Sequence, residues 1–93
     1  MSPWAVLGVP PGASEAELRA AYRKQAAATH PDRSPDGAEA FIRVQAAYRV
    51  LTDPALAERR MLDPEGTFEV ELMIERRRAQ RARRRARVAK LYE

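Results

Sequence analysis

The chain has 93 residues, no cysteine, a single histidine and a net charge of +4. That length allows one small domain, and the composition excludes a disulfide framework, a thiolate metal site and a Cys/His catalytic constellation. No apolar run is long enough to span a membrane, and the opening Met1-Ser2-Pro3-Trp4 lacks the charged and apolar regions of a secretory signal.

Ser2 is placed to cap a short first helix, with Pro3 at its first position and Gly8 as its stop. Trp4 and Leu7 share one face of it. The segment from Val9 to Ala13 carries paired prolines, which exclude helix and make it a connecting loop. The second helix opens on Ser14-Glu15-Ala16-Glu17, a capping box: the Ser14 hydroxyl accepts from the Glu17 amide, and the Glu17 side chain reaches back. Leu18, Ala21, Tyr22 and Gln25 follow at helical spacing, flanked by Arg19, Arg23 and Lys24. Gln25 needs a hydrogen-bond partner if buried, so partial exposure is expected. Tyr22 fits a docking contact or the edge of the core equally well. The helix ends by Thr29 or His30, because Pro31 removes a donor and restricts the residue before it.

A polar turn, Arg33-Ser34-Pro35-Asp36-Gly37, separates this helix from a third that starts near Ala38 behind a cap-like Asp36. Phe41, Val44, Ala47, Tyr48 and Leu51 give it one apolar face. Leu18, Ala21, Phe41, Val44, Tyr48 and Leu51 are the expected core. Two helices joined by so short a turn lie antiparallel. Asp53-Pro54 is the N-cap and first position of a short fourth helix carrying Leu56, Met61 and Leu62. Asp63-Pro64-Glu65-Gly66 breaks it. No segment alternates as a strand does, so the fold class is all-α.

Charge is divided unevenly. Residues 1–66 hold 8 Lys/Arg and 9 Asp/Glu, net −1, while residues 67–93 hold 9 and 4, net +5. The tail from Thr67 is predicted to be one long helix, capped by Thr67, with a narrow seam of Phe68, Leu72, Glu75, Ala79, Ala82, Ala86 and Ala89. Alanines return little on burial, so the tail is expected to project from the domain, anchored only by Phe68, Leu72, Met73 and Ile74. Residues 1–66 are accordingly expected to fold alone. Arg77, Arg78, Arg81, Arg83, Arg84, Arg85 and Arg87 are candidate nucleic-acid contacts by charge. A solvated helix is the competing reading, and no aromatic interleaves these arginines to stack bases.

His30-Pro31-Asp32 sits between the second and third helices. Alone, the tripeptide serves as a helix stop: a histidine favourable at a helix C-terminus, a proline breaker and an aspartate turn. At the tip of a hairpin, with Arg19, Arg23, Lys24 and Arg33 beside it, Asp32 can instead offer a carboxylate to a partner arginine.

The stretch from Trp4 to about Asp63 resembles the J-domain of DnaJ-type co-chaperones. The matching segments are Trp4-Ala5-Val6-Leu7-Gly8-Val9, Ala13-Ser14-Glu15-Ala16-Glu17-Leu18, Ala21-Tyr22-Arg23-Lys24 and His30-Pro31-Asp32-Arg33. They continue through Phe41, Val44, Ala47-Tyr48 and Val50-Leu51-Thr52-Asp53-Pro54. The sequence departs from the family pattern at Gln25, at Thr29 and around Arg60 to Leu62. Nothing in it resembles the Gly/Phe-rich, cysteine-rich or β-rich regions of full-length DnaJ.

The resemblance implies a J-domain over residues 1–63, with short first and fourth helices beside the hairpin, followed by a basic helical tail over 64–93. It implies docking on a DnaK-type chaperone ATPase and stimulation of its ATP hydrolysis. The docking residues it marks are His30, Pro31, Asp32, Arg33, Arg19, Tyr22, Arg23 and Lys24. The chain is then a cytoplasmic, monomeric co-chaperone, not itself an enzyme, with no metal or cofactor. The alternative is a small nucleic-acid- or ribosome-binding protein that uses the arginine tail on a J-like scaffold.

Overall fold

A computed structural model describes residues 1–30 and 38–91, with side chains through Ala86. Among the described residues five α-helices follow in order: α1 (Pro3–Leu7), α2 (Glu15–Thr29), α3 (Ala38–Thr52), α4 (Ala57–Leu62) and α5 (Pro64–Leu91), with a 3-10 turn at Pro54–Leu56 before α4. No strand occurs among the described residues. The fold is all-α, as the sequence predicts.

Local chemistry sets most boundaries. The Ser2 hydroxyl accepts from the Ala5 N–H at 3.1 Å and starts α1. Gly8 ends it in the left-handed region at φ 77°, a conformation that an L side chain would strain. Both arms of the Ser14/Glu17 capping box are made: the Glu17 N–H donates to Ser14 Oγ at 3.2 Å, and the Ser14 N–H to Glu17 Oε1 at 3.4 Å. Asp53 accepts from the Ala55 N–H at 2.9 Å to open the 3-10 turn. The expected Asp36 cap of α3 lies outside the described residues.

Helix α3 occupies the centre. Tyr22 faces Tyr48 and His30 faces Phe41. The two residue numbers rise together on one helix as they fall on the other, so α2 and α3 run antiparallel. On another side α3 meets α5, and α1 packs on it as well. Packing on several sides explains why Ile42, Ala46 and Val50 are buried along with Val44, Ala47 and Leu51, although a single apolar face accounts only for the latter three. Ala21 and Tyr48, expected in the core, are half-buried at its edge, and Phe41, also expected there, is half-buried against His30. On α4, Leu56 just before it is buried, whereas Met61 and Leu62 are 84% and 78% exposed. Arg60 ties α4 down instead, its guanidinium donating to the Val50 carbonyl at 2.6 Å.

Helix α5 corrects two expectations. It begins at Pro64, not behind Thr67. Asp63 caps it, accepting from the Gly66 N–H at 3.0 Å, while the Thr67 hydroxyl donates back to the Asp63 carbonyl at 2.7 Å. Nor does the tail simply project. Its first half lies on α3, with Phe68 and Leu72 buried in the common core and Ala79 packed against it. From Phe68 to Ala79 the seam read from the sequence is the face that packs, while Ala82 and Ala86 are exposed. Its burial comes from the phenylalanine and leucine, so counting alanines undervalued it. Charge fastens the crossing: Arg76 Nε donates to Glu39 Oε1 at 2.9 Å, and Glu75 accepts from Arg78 at 3.0 Å with Arg49 at 3.8 Å. The hydrogen bond to Glu39 raises the Arg76 pKa above its ordinary value. Only beyond Ala79 does the projecting arm begin.

Gln25 is half-buried, close enough to Gly8 that a Cβ there would lie 3.6 Å from its Nε2. Replacing this amide with an apolar side chain removes a desolvation cost. Gln25→Leu is expected to raise stability by about 1 kcal/mol, readable as a higher urea midpoint with an unchanged slope.

Candidate partner-docking face

The candidate face is the outer side of α2. Leu18 is buried and Ala21, Tyr22 and Gln25 are half-buried, which fixes the roll of the helix. The opposite side therefore carries Arg19, Arg23 and Lys24, all exposed. Arg19 is held by its i−4 neighbour Glu15 at 3.7 Å; Arg23 and Lys24 have no acidic partner among the described residues. From Arg19 to the last turn at Thr29 the helix rises about 15 Å. A row of cations thus leads toward His30.

His30 stands just past the end of α2, with an extended backbone at φ −58° and ψ 134°. The following proline imposes that geometry. Its ring is exposed and meets the Phe41 ring edge-on, centroids 5.3 Å apart. Phe41 therefore braces the start of the tripeptide from α3, a role the sequence reading did not give it. Pro31, Asp32 and Arg33 lie outside the described residues.

Tyr22 stands at the edge of the packing side, half-buried. Its ring stacks on Tyr48 at 4.4 Å and an interplanar angle of 22°. The stack stiffens the middle of the hairpin, and a rigid hairpin holds the α2 cations at fixed spacing. Helix α5 packs on α3, α4 and α1, so the cations of α2 stay uncovered.

The remaining candidate residues lie on α5. Arg77, Arg78, Arg81, Arg83, Arg84 and Arg85 are exposed. The Arg87 side chain lies outside the described residues. Among the described residues no group of His, Cys, Asp or Glu could hold a metal ion, and no helix is long and apolar enough to cross a membrane.

A family model described as the DnaJ domain matches residues 2–63. DnaJ homolog subfamily A member 2 of Homo sapiens is 51% identical over 53 residues, covering 57% of this chain and 13% of that protein. Chaperone protein dnaJ 39 of Arabidopsis thaliana is 42% identical over 72 residues, covering 74% and 17%. Protein psi1 of Schizosaccharomyces pombe is 48% identical over 63 residues, covering 68% and 16%. The chain spans less than a fifth of the length of these relatives. No solved structure matches it.

Proposed function

The chain belongs to the DnaJ domain family, and from that premise we propose that it is a co-chaperone that docks on a DnaK-type chaperone and stimulates its ATP hydrolysis. The observation that carries the reading is the exposed row Arg19, Arg23 and Lys24 on a rigid hairpin, leading to His30 at the start of the His-Pro-Asp tripeptide. The cations steer an acidic partner surface into register. Asp32 then offers its carboxylate to an arginine of the partner, a charge-assisted bond. The chain itself carries out no chemistry. It works in the cytoplasm as a monomer, biasing the ATP-bound state of its partner.

Steering by exposed charge acts on the association rate more than on the lifetime of the complex. Arg19→Glu combined with Arg23→Glu is expected to slow association with the ATP-bound partner roughly tenfold at low salt. The same variant should lose most of the salt dependence of that rate, since screening then has little attraction left to weaken. Stopped-flow mixing at several ionic strengths reads both. Rates indifferent to the substitutions and to salt would leave the α2 cations as a solvated face.

A further inference from the structure

The distal half of α5 is not used by the docking face. Ala79 still touches the core, but every residue from Arg81 to Ala86 is exposed while the helix continues to Leu91. At 1.5 Å per residue the free arm is about 18 Å long. Its charge is segregated. Residues 64–75 hold four glutamates and no base; residues 76–90 hold nine bases and no acid. Glu39 and Glu75 answer Arg76 and Arg78. Arg77, Arg81, Arg83, Arg84 and Arg85 have no ion pair among the described residues. They repel one another, because Arg77 and Arg81, Arg81 and Arg85, and Arg81 and Arg84 stand four or three apart, where like charges weaken a helix. A polyanion would relieve that repulsion and gain the charge.

The distribution around the helix selects the kind of polyanion. At about 100° per residue, Arg77, Arg78, Arg81, Arg84 and Arg85 fall within an arc roughly 120° wide, and Arg83 lies roughly 160° from its centre. In the sequence Arg87 and Lys90 follow Arg83 at four and seven residues. Ala82 and Ala86 keep one flank between the two sides slim. A flat acidic protein surface would meet one arc and leave the other unused. A second copy offers little, since Glu71 and Glu75 of its α5 are buried and residues 1–66 are nearly neutral. A groove with phosphates on both walls uses both sides at once.

We propose that this arm docks in the major groove of double-stranded nucleic acid, its opposed arginines reaching the phosphates of the two strands. A helix with side chains is about 10–12 Å across, and the B-form major groove is about 12 Å wide. The A-form groove of duplex RNA is too narrow and deep to admit it, so duplex DNA is the favoured form. No aromatic lies between Phe68 and Tyr92 to stack single-stranded bases. Phosphate contacts carry no sequence information, so binding is independent of base sequence.

The test titrates the full chain into a fluorescent DNA duplex of about 24 base pairs, the matching RNA duplex and the matching single strand. Five phosphate contacts predict an affinity that drops roughly 500-fold between about 50 and 200 mM salt. Arg81→Gln, Arg83→Gln and Arg84→Gln together should reduce the logarithmic salt slope by about three. The same triple variant should stimulate a DnaK-type partner as the parent chain does when no nucleic acid is present. Loss of DNA binding and loss of co-chaperone activity are therefore separate results. Absence of duplex binding at low salt would overturn the proposal, as would an unchanged slope in the variant. RNA duplex or single strand bound as tightly as duplex DNA would overturn the groove assignment. Displacement of the DNA by polyglutamate at equal charge would point to an acidic protein and overturn the choice of nucleic acid.

Discussion

Phe68→Ala is expected to cost the domain about 3–5 kcal/mol. Phe68 is 2% exposed, four residues into a helix that follows the last expected element of the domain. It sits in one core with Leu7, Val44, Val50 and Leu72. Removing its ring leaves a cavity that α3 and α5 cannot close without breaking the Glu39–Arg76 and Glu75–Arg49 contacts. A domain of this size has roughly 5–15 kcal/mol in total, so the variant should be close to unfolding at room temperature. Arg83→Ala, on the exposed arm of the same helix, should change stability by no more than about 0.5 kcal/mol. Urea unfolding of both variants makes the contrast. A Phe68→Ala loss below about 1 kcal/mol would mean that α5 stands off the core along its whole length. By the same reasoning, a chain ended after Gly66 loses Phe68 and Leu72 together. It is expected to fold poorly, which reverses the expectation drawn from the sequence.

Asp32→Asn is expected to abolish stimulation of a DnaK-type ATPase while leaving the helical fold and its melting unchanged. The substitution keeps the shape and removes the charge. If the carboxylate pairs with a partner arginine, the neutral amide leaves that arginine desolvated and unanswered, a large penalty for one atom exchanged. His30→Gln should act in the same direction. It also removes the edge contact with Phe41, so a small loss of stability accompanies it. Circular dichroism on each variant, beside the stimulated rate, separates a lost contact from a lost fold. A folded Asp32→Asn chain that stimulates as well as its parent would remove the tripeptide from the mechanism.

Much of this was legible in the sequence because it is local. The capping box at Ser14, the left-handed Gly8 and the Asp53-Pro54 start each follow from a few adjacent residues. The hairpin was legible for a similar reason: two capped, amphipathic segments separated by a short turn have little choice but to fold back. The start of α5 has a local signal too. Asp63-Pro64 repeats the Asp53-Pro54 pattern, a cap followed by proline at the first position, and in the structure that proline opens a helix instead of separating two. The central position of α3 was not local. Ile42, Ala46 and Val50 lie away from the apolar face visible in the helix, and only packing by α1 and α5 on further sides makes them core. The docking of α5 was hidden for the same reason. Its seam is visible at alternating four and three spacing, yet what it buries depends on a partner helix far off in the chain. The cations of α2 were legible as exposed from the periodicity of Leu18, Ala21, Tyr22 and Gln25. Tyr22 fits a docking contact or the core edge equally well by periodicity, and the structure leaves it half-buried with its ring stacked on Tyr48.

The action proposed for this chain is to drive ATP hydrolysis on a DnaK-type partner. Single-turnover hydrolysis of a preformed complex of that partner with ATP isolates this step, since product release and nucleotide exchange do not enter. Adding the full chain should accelerate the single turnover in proportion to the complex formed, and the Asp32→Asn chain at the same concentration should not. A turnover rate unchanged by the parent chain, under conditions where its binding to the partner is measured and saturated, would show that it docks without stimulating and is no co-chaperone of that ATPase.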